Sequence, residues 1–212
     1  MNKKLTILLL ALMCVGISAC QKEGANEQSQ VTDDAVQETL KEESYTTSVV
    51  LFDCDTNDNL TSSYGTNVTS KKDEYKVGTG AYRSIGAGST RFRIALANTV
   101  DITSCKDGGL QFWLYIGDKS EFLSTSIKVE LGSAGEYDKS ELQWSYNLTK
   151  LKANGWNKVT LEFADALQTS GDTGPIDLSA VNFFRLYFSA KETNEDALLI
   201  LDDVRAVGRE EL

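Results

Sequence analysis

Along most of this chain apolar residues recur at every second position for short runs and then give way to Gly, Asn, Asp and Ser. That alternation marks half-buried strands separated by turns, and no long window holds the 3.6-residue period of a helix. The strongest run is Gly108–Ile116. Successive strand side chains point to opposite faces, so Leu110, Phe112, Leu114 and Ile116 line an apolar side while Gln111, Trp113 and Tyr115 line the other. The pattern predicts strands near Val49–Asp53, Gly80–Ile85, Thr90–Leu96, Leu110–Ile116, Ser126–Leu131, Leu142–Leu148, Trp156–Phe163, Val181–Ser189 and Leu198–Val207. Their inward parity reads Phe92, Ile94, Leu96; Ile127, Val129, Leu131; Leu142, Trp144, Tyr146; and Phe184, Leu186, Phe188. The opposite parity is polar or aromatic: Arg91 and Arg93, Lys128 and Glu130, Gln143 and Ser145, Arg185 and Tyr187. Strands with one dry face and one wet face, joined by dense turns, predict an all-β fold, a β-sandwich jelly roll organised around Leu110–Ile116.

The alternation fails at both ends. Residues 1–19 have a short positive start at Lys3 and Lys4, then an apolar run from Leu5 to Val15, then small residues up to Cys20. This is the layout of an export signal, and the run is too short to span a bilayer comfortably as a helix. Small residues directly before a cysteine resemble the bacterial lipobox, which implies that Cys20 is acylated and becomes the N-terminus of a protein anchored on the outer face of the cell membrane. Residues 20–47 are rich in Glu, Gln, Asp, Ser and Thr, and read as an acidic disordered tether. Random-coil scaling gives it a root-mean-square reach of roughly 30 Å. The folded domain is expected over 48–207, followed by a polar tail at 208–212.

Charge and composition narrow the chemistry. The chain carries −10, and without residues 1–19 it has 19 basic and 31 acidic residues, a net −12, which disfavours nucleic acid and polyanions. There is no histidine, so the commonest general base and the commonest transition-metal ligand are both missing. Catalysis would rest on carboxylates, and no acid pair, nucleophile elbow or phosphate-cradling loop is legible. The acidic run Asp53-Cys54-Asp55-Thr56-Asn57-Asp58-Asn59 begins like a calcium loop but is not an EF-hand, because Asp58 stands where the turn needs glycine and Tyr64 where a bidentate Glu belongs. It is either a solvated turn or part of a hard-cation site. Cys54 and Cys105 form an even pair in an oxidising location, and are either a disulfide or two separate buried thiols. A bridge would close about 50 residues, with stabilisation of roughly 4 kcal/mol.

Several short stretches occur in a telling order: Val50–Asp55, Lys76–Tyr82, Val100–Thr103, Leu110–Ile116, Asn154–Val159, Ile176–Ser179 and Ile200–Val204. Together they resemble the jelly-roll carbohydrate-binding modules of the galactose-binding-like superfamily. The resemblance implies a non-catalytic module that binds a poly- or oligosaccharide. It also implies a structural Ca2+ held by Asp55 and Asp203, with carbonyls from Gly78 to Gly80. Relatives of that fold imply that Trp113 and Tyr115 share a sheet with Arg185 and Tyr187, giving flat rings for sugar faces and a guanidinium for hydroxyls. The rival reading has Trp113 and Tyr115 covered by a loop or the tether. Trp144 and Trp156 read as structural. A structural or protein-interaction lipoprotein on the same scaffold, and a small carbohydrate-active enzyme, are the alternative functions.

Overall fold

The computed structural model describes residues 45–85, 88–168, 174–192 and 194–209. The signal segment, Cys20, the tether up to residue 44 and the last residues of the tail lie outside the described residues. Among the described residues, twelve strands run β1 (Thr47–Phe52), β2 (Leu60–Tyr64), β3 (Asn67–Thr69), β4 (Ala81–Ile85), β5 (Gly88–Val100), β6 (Gly109–Ile116), β7 (Ser126–Gly132), β8 (Glu141–Asn147), β9 (Gly155–Glu162), β10 (Leu167–Gln168), β11 (Val181–Ala190) and β12 (Leu198–Gly208). They form two antiparallel six-stranded sheets. The first is ordered β3-β4-β12-β6-β9 with β1 also on β12, and the second β10-β8-β7-β11-β5-β2.

All nine expected strands are present. The three not anticipated, β2, β3 and β10, are short and lie towards the sheet margins. In β2 and β3 only Leu60 and Thr69 are withdrawn from solvent to any extent, so those two strands carry no alternating apolar pattern to read. The organising strand of the first sheet is β12 rather than β6. It pairs with β1, β4 and β6, while β6 pairs with β12 and β9. Residues just outside 48–207 also make contacts with the domain. The Tyr45 hydroxyl donates to Glu162 Oε1, Arg209 Nη2 donates to the same oxygen at 2.7 Å, and Thr46 N donates to Gly208 O at 2.9 Å.

The inward parity holds on both sheets. Phe92, Ile94, Ile127, Val129, Leu131, Trp144, Phe184, Leu186 and Phe188 are buried, against Leu110, Phe112, Leu114 and Ile116 of the first sheet, while Leu96, Leu142 and Tyr146 are half-buried at the margin of this core. Phe184 joins the two layers edge-on, with ring centroids 5.4 Å from Phe52 and 6.1 Å from Phe112. Trp144 is structural: its indole N–H donates to Glu162 O at 2.8 Å. In β12 the register passes from Asp202 opposite Trp113 to Arg205 opposite Gln111. This bulge, with Asp203 at φ 51°, sets Val204 and Ala206 inward beyond it while Ile200 and Asp202 share the outer parity of Trp113 and Tyr115.

Candidate functional site

The four residues expected on one face are not together. Trp113 and Tyr115 lie on β6 in the first sheet, and Arg185 and Tyr187 lie on β11 in the second. Their wet faces therefore look out from opposite sides of the sandwich. Parity shows which side of its own strand a residue occupies. It does not show which sheet the strand joins.

The face of the first sheet is largely occupied by the chain itself. The segment between β3 and β4 is pinned onto it, with the N–H groups of Lys76 and Val77 donating to Asp202 Oδ2 at 2.6 and 2.8 Å. Lys76 Nζ sits 5.0 Å from the centre of the Trp113 ring, a cation–π contact. Ile200 and Asp202, next to these rings, are buried. Tyr115 meets Trp156 edge-on at 5.8 Å, and Trp113, Tyr115 and Trp156 are all half-buried. This is a partly covered face, in line with the loop-covered reading.

The second sheet's outer face is differently built. Its registers line up Gln143 (β8), Glu130 (β7), Arg185 (β11), Arg93 (β5) and Tyr64 (β2) in one row across five strands. Glu130 is fully buried and receives Arg185 through two donors, Nε to Oε2 and Nη2 to Oε1 at 2.6 Å, while Gln143 Nε2 donates at 2.9 Å. The Arg185 guanidinium lies between two rings, 4.8 Å from Tyr137 and 4.6 Å from Tyr187. Burial and the neighbouring Glu130 push the Tyr187 phenol up to about 12. Burial opposes the charge of Arg185, but the hydrogen bond and charge of Glu130 hold it above its ordinary value.

Tyr137 comes from the turn between β7 and β8, which no strand pattern in the sequence marks. That turn folds over the sheet with positive φ at Gly135, Asp138 and Ser140, anchored by Gly135 N donating to Asn182 Oδ1 at 2.8 Å. It brings Asp138 to Arg185 Nη2 at 3.4 Å, and Asp138 N donates to Glu141 Oε2 at 3.0 Å. Carboxylate oxygens of Glu130, Asp138 and Glu141 lie within 4.8 Å of one another. Arg185 supplies the positive charge of this cluster directly. Arg185 Nη1 makes no hydrogen bond among the described residues, so the guanidinium still offers a donor beside two rings, of which Tyr137 is exposed and Tyr187 half-buried.

The residues expected to hold calcium, Asp55 and Asp203, sit with Asp202 at the other acidic cluster. Asp55 Oδ1 accepts from the N–H groups of Thr79 and Gly80 at 2.7 and 2.6 Å, so the Gly78–Gly80 segment meets Asp55 through donors. Gly78 has φ +67°, and a Cβ there would stand 2.5 Å from Asp55 Oδ2, which leaves no room for a side chain. Asp203 is held by Arg205 through Nε at 3.2 Å and through Nη2. The orphan is its neighbour: Asp202 Oδ1 is buried with no hydrogen-bond partner. Burial raises the Asp202 pKa, the N–H groups of Val77 and Lys76 oppose that, and the charges of Asp203 and Asp55 add to it. A buried carboxylate oxygen without a partner is the kind of ligand atom a hard divalent cation takes. Cys54 and Cys105 are both buried free thiols, so the bridge between them is not present.

No protein-family profile matches the chain, and no curated protein does. Solved structures do. The family 11 carbohydrate-binding module of the cellulosomal cellulase Lic26A-Cel5E of Clostridium thermocellum superposes with TM-score 0.51 at 15% identity, covering 80% of this chain and 99% of the module. A family 11 module from Clostridium thermocellum in complex with a β-1,3-1,4-mixed-linked tetrasaccharide gives 0.51 at 14% identity, covering 78% and 98%. A family 30 carbohydrate-binding module gives 0.50 at 14% identity, covering 78% and 90%. The chain has the β-sandwich jelly-roll fold of these modules.

Proposed function

We propose that the chain is a non-catalytic glycan-binding module whose ligand lies on the outer face of the second sheet. The observation that carries this reading is the Tyr137–Arg185–Tyr187 stack on a polar row, in a fold shared with solved carbohydrate-binding modules. Aromatic rings offer flat apolar surface to the C–H faces of pyranose rings, and the free Arg185 donor with Gln143 offers hydrogen bonds to hydroxyls. By analogy with base stacking, each ring contributes about 1–3 kcal/mol, which gives micromolar to millimolar affinity from two or three rings.

The buried Glu130 supports binding over catalysis. Both its oxygens are engaged by Arg185, and Gln143 adds to one of them, which leaves this acid no free edge for proton transfer. In the same proposal a structural Ca2+ sits at Asp55 and Asp202. There it would neutralise buried negative charge and fasten β12 to the β3–β4 segment. The module is carried outward on a bacterial lipoprotein anchored through Cys20, where surface polysaccharide is within reach.

The test is electrophoresis of the full chain in native gels containing soluble polysaccharides, followed by titration calorimetry on those that retard it. Retardation by at least one polysaccharide, reversed by its oligosaccharides, is the expected result. Unchanged mobility across the whole panel would count against the proposal.

A further inference from the structure

The second sheet's outer face holds two cations that no carboxylate of the described residues contacts, although the chain as a whole is at −10. Its acids are committed: Glu130 to Arg185 and Gln143, Asp138 to Arg185, and Glu141 to the backbone N–H of Asp138. Arg93 stands directly opposite Arg185 on the neighbouring strand, a like-charge pairing that Glu130 and Asp138 offset at Arg185 while making no contact with Arg93 itself. Of these two, among the described residues, only Arg185 receives carboxylates. Arg93 is half-buried, its guanidinium 6.0 Å from the centre of the Tyr137 ring, and among the described residues it has no hydrogen-bonding or ion-pairing partner. Lys128, opposite Tyr187 on the other side of β11, is half-buried and equally without a carboxylate. Two unpaired cations thus flank the Tyr137–Arg185–Tyr187 stack.

We infer that the glycan bears an acidic group, a uronate carboxylate or a sulfate ester, received by Arg93 with Lys128 contributing. The inference rests on the glycan-binding reading above and narrows its substrate class. An Arg fork matches the two oxygens of a carboxylate or sulfate, whereas a neutral sugar leaves it with hydroxyls alone. The net negative charge of the chain constrains the ligand further. A densely charged polyanion would meet acidic surface beyond the platform. A single oxyanion on an otherwise neutral chain is different, because with a Debye length of about 8 Å at physiological salt it interacts mainly with its local neighbours. The ligand class is therefore a sparsely acidic oligosaccharide.

The experiment measures the full chain against an array that pairs neutral oligosaccharides with counterparts carrying one uronic acid or one sulfate. One such pair is xylotetraose with and without a single glucuronic acid branch. The expected result is about a tenfold preference for the acidic member of a pair. The preference should fall as salt is raised and collapse towards one in Arg93→Gln, whose thermal midpoint stays close to that of the parent. The uronate and sulfate arms show which oxyanion is used. Equal or better binding of the neutral members overturns the inference and leaves the glycan-binding reading intact. An acidic preference that survives Arg93→Gln overturns the assignment to Arg93. Binding to nothing on the array removes the inference together with the reading it rests on.

Discussion

Arg185 shows how far a residue's role departs from its sequence position. Its wet parity was legible, and on that basis its guanidinium would be free for sugar hydroxyls. In the fold it is first the counter-charge of a fully buried Glu130. Removing one partner of a buried pair leaves the other charge stranded, at a cost of about 3–5 kcal/mol. Arg185→Ala should therefore lower the denaturant midpoint substantially, and adding Glu130→Gln to the same chain should recover part of the loss. Equal stability of Arg185→Ala and the parent would show that Glu130 is solvated rather than paired. The contribution of Tyr137 was invisible in the sequence for a different reason: its place depends on left-handed backbone at Gly135 and Asp138, a property of a turn with no periodicity.

At the scale of elements, the β12 bulge and the β3–β4 segment together build the acidic cluster. The sequence pointed to Asp203 by family resemblance. The bulge instead turns Asp202 outward beneath Lys76 and Val77 and leaves Asp203 beside Arg205, a one-residue distinction that alternation alone does not resolve. Binding to the folded state alone raises stability by mass action, by about 2.7 kcal/mol when free calcium is a hundredfold above its Kd. The thermal midpoint should be higher in millimolar calcium than in chelator, and Asp202→Asn should abolish that difference while Asp203→Asn keeps most of it. Identical melting of the parent in calcium and in chelator would dispose of the cation site. Strands with one buried face, such as β5, β7 and β11, carry an apolar alternation that is legible in the sequence. The short strands β2, β3 and β10 carry none.

For the whole molecule, parity told dry faces from wet ones but not how strands are shared between sheets, since that is decided by long-range pairing. The consequence is that Trp113 with Tyr115, and Arg185 with Tyr187, serve different faces. At the same scale the proposed anchor predicts that Cys20→Ala moves the protein from the membrane fraction to the soluble fraction. Retention of that variant through a salt wash would sink the lipid assignment. The central claim, that the ligand-binding face is the one centred on Tyr187, is tested most directly by titrating a retained oligosaccharide into Tyr187→Ala and Trp113→Ala side by side, with thermal midpoints measured on both. The account predicts that Tyr187→Ala loses affinity by about tenfold, the worth of one stacked ring. Trp113→Ala, which uncovers the contact with Lys76, should lower the midpoint and keep the affinity. Loss of affinity in Trp113→Ala with full affinity in Tyr187→Ala would contradict it and move the site to the opposite sheet.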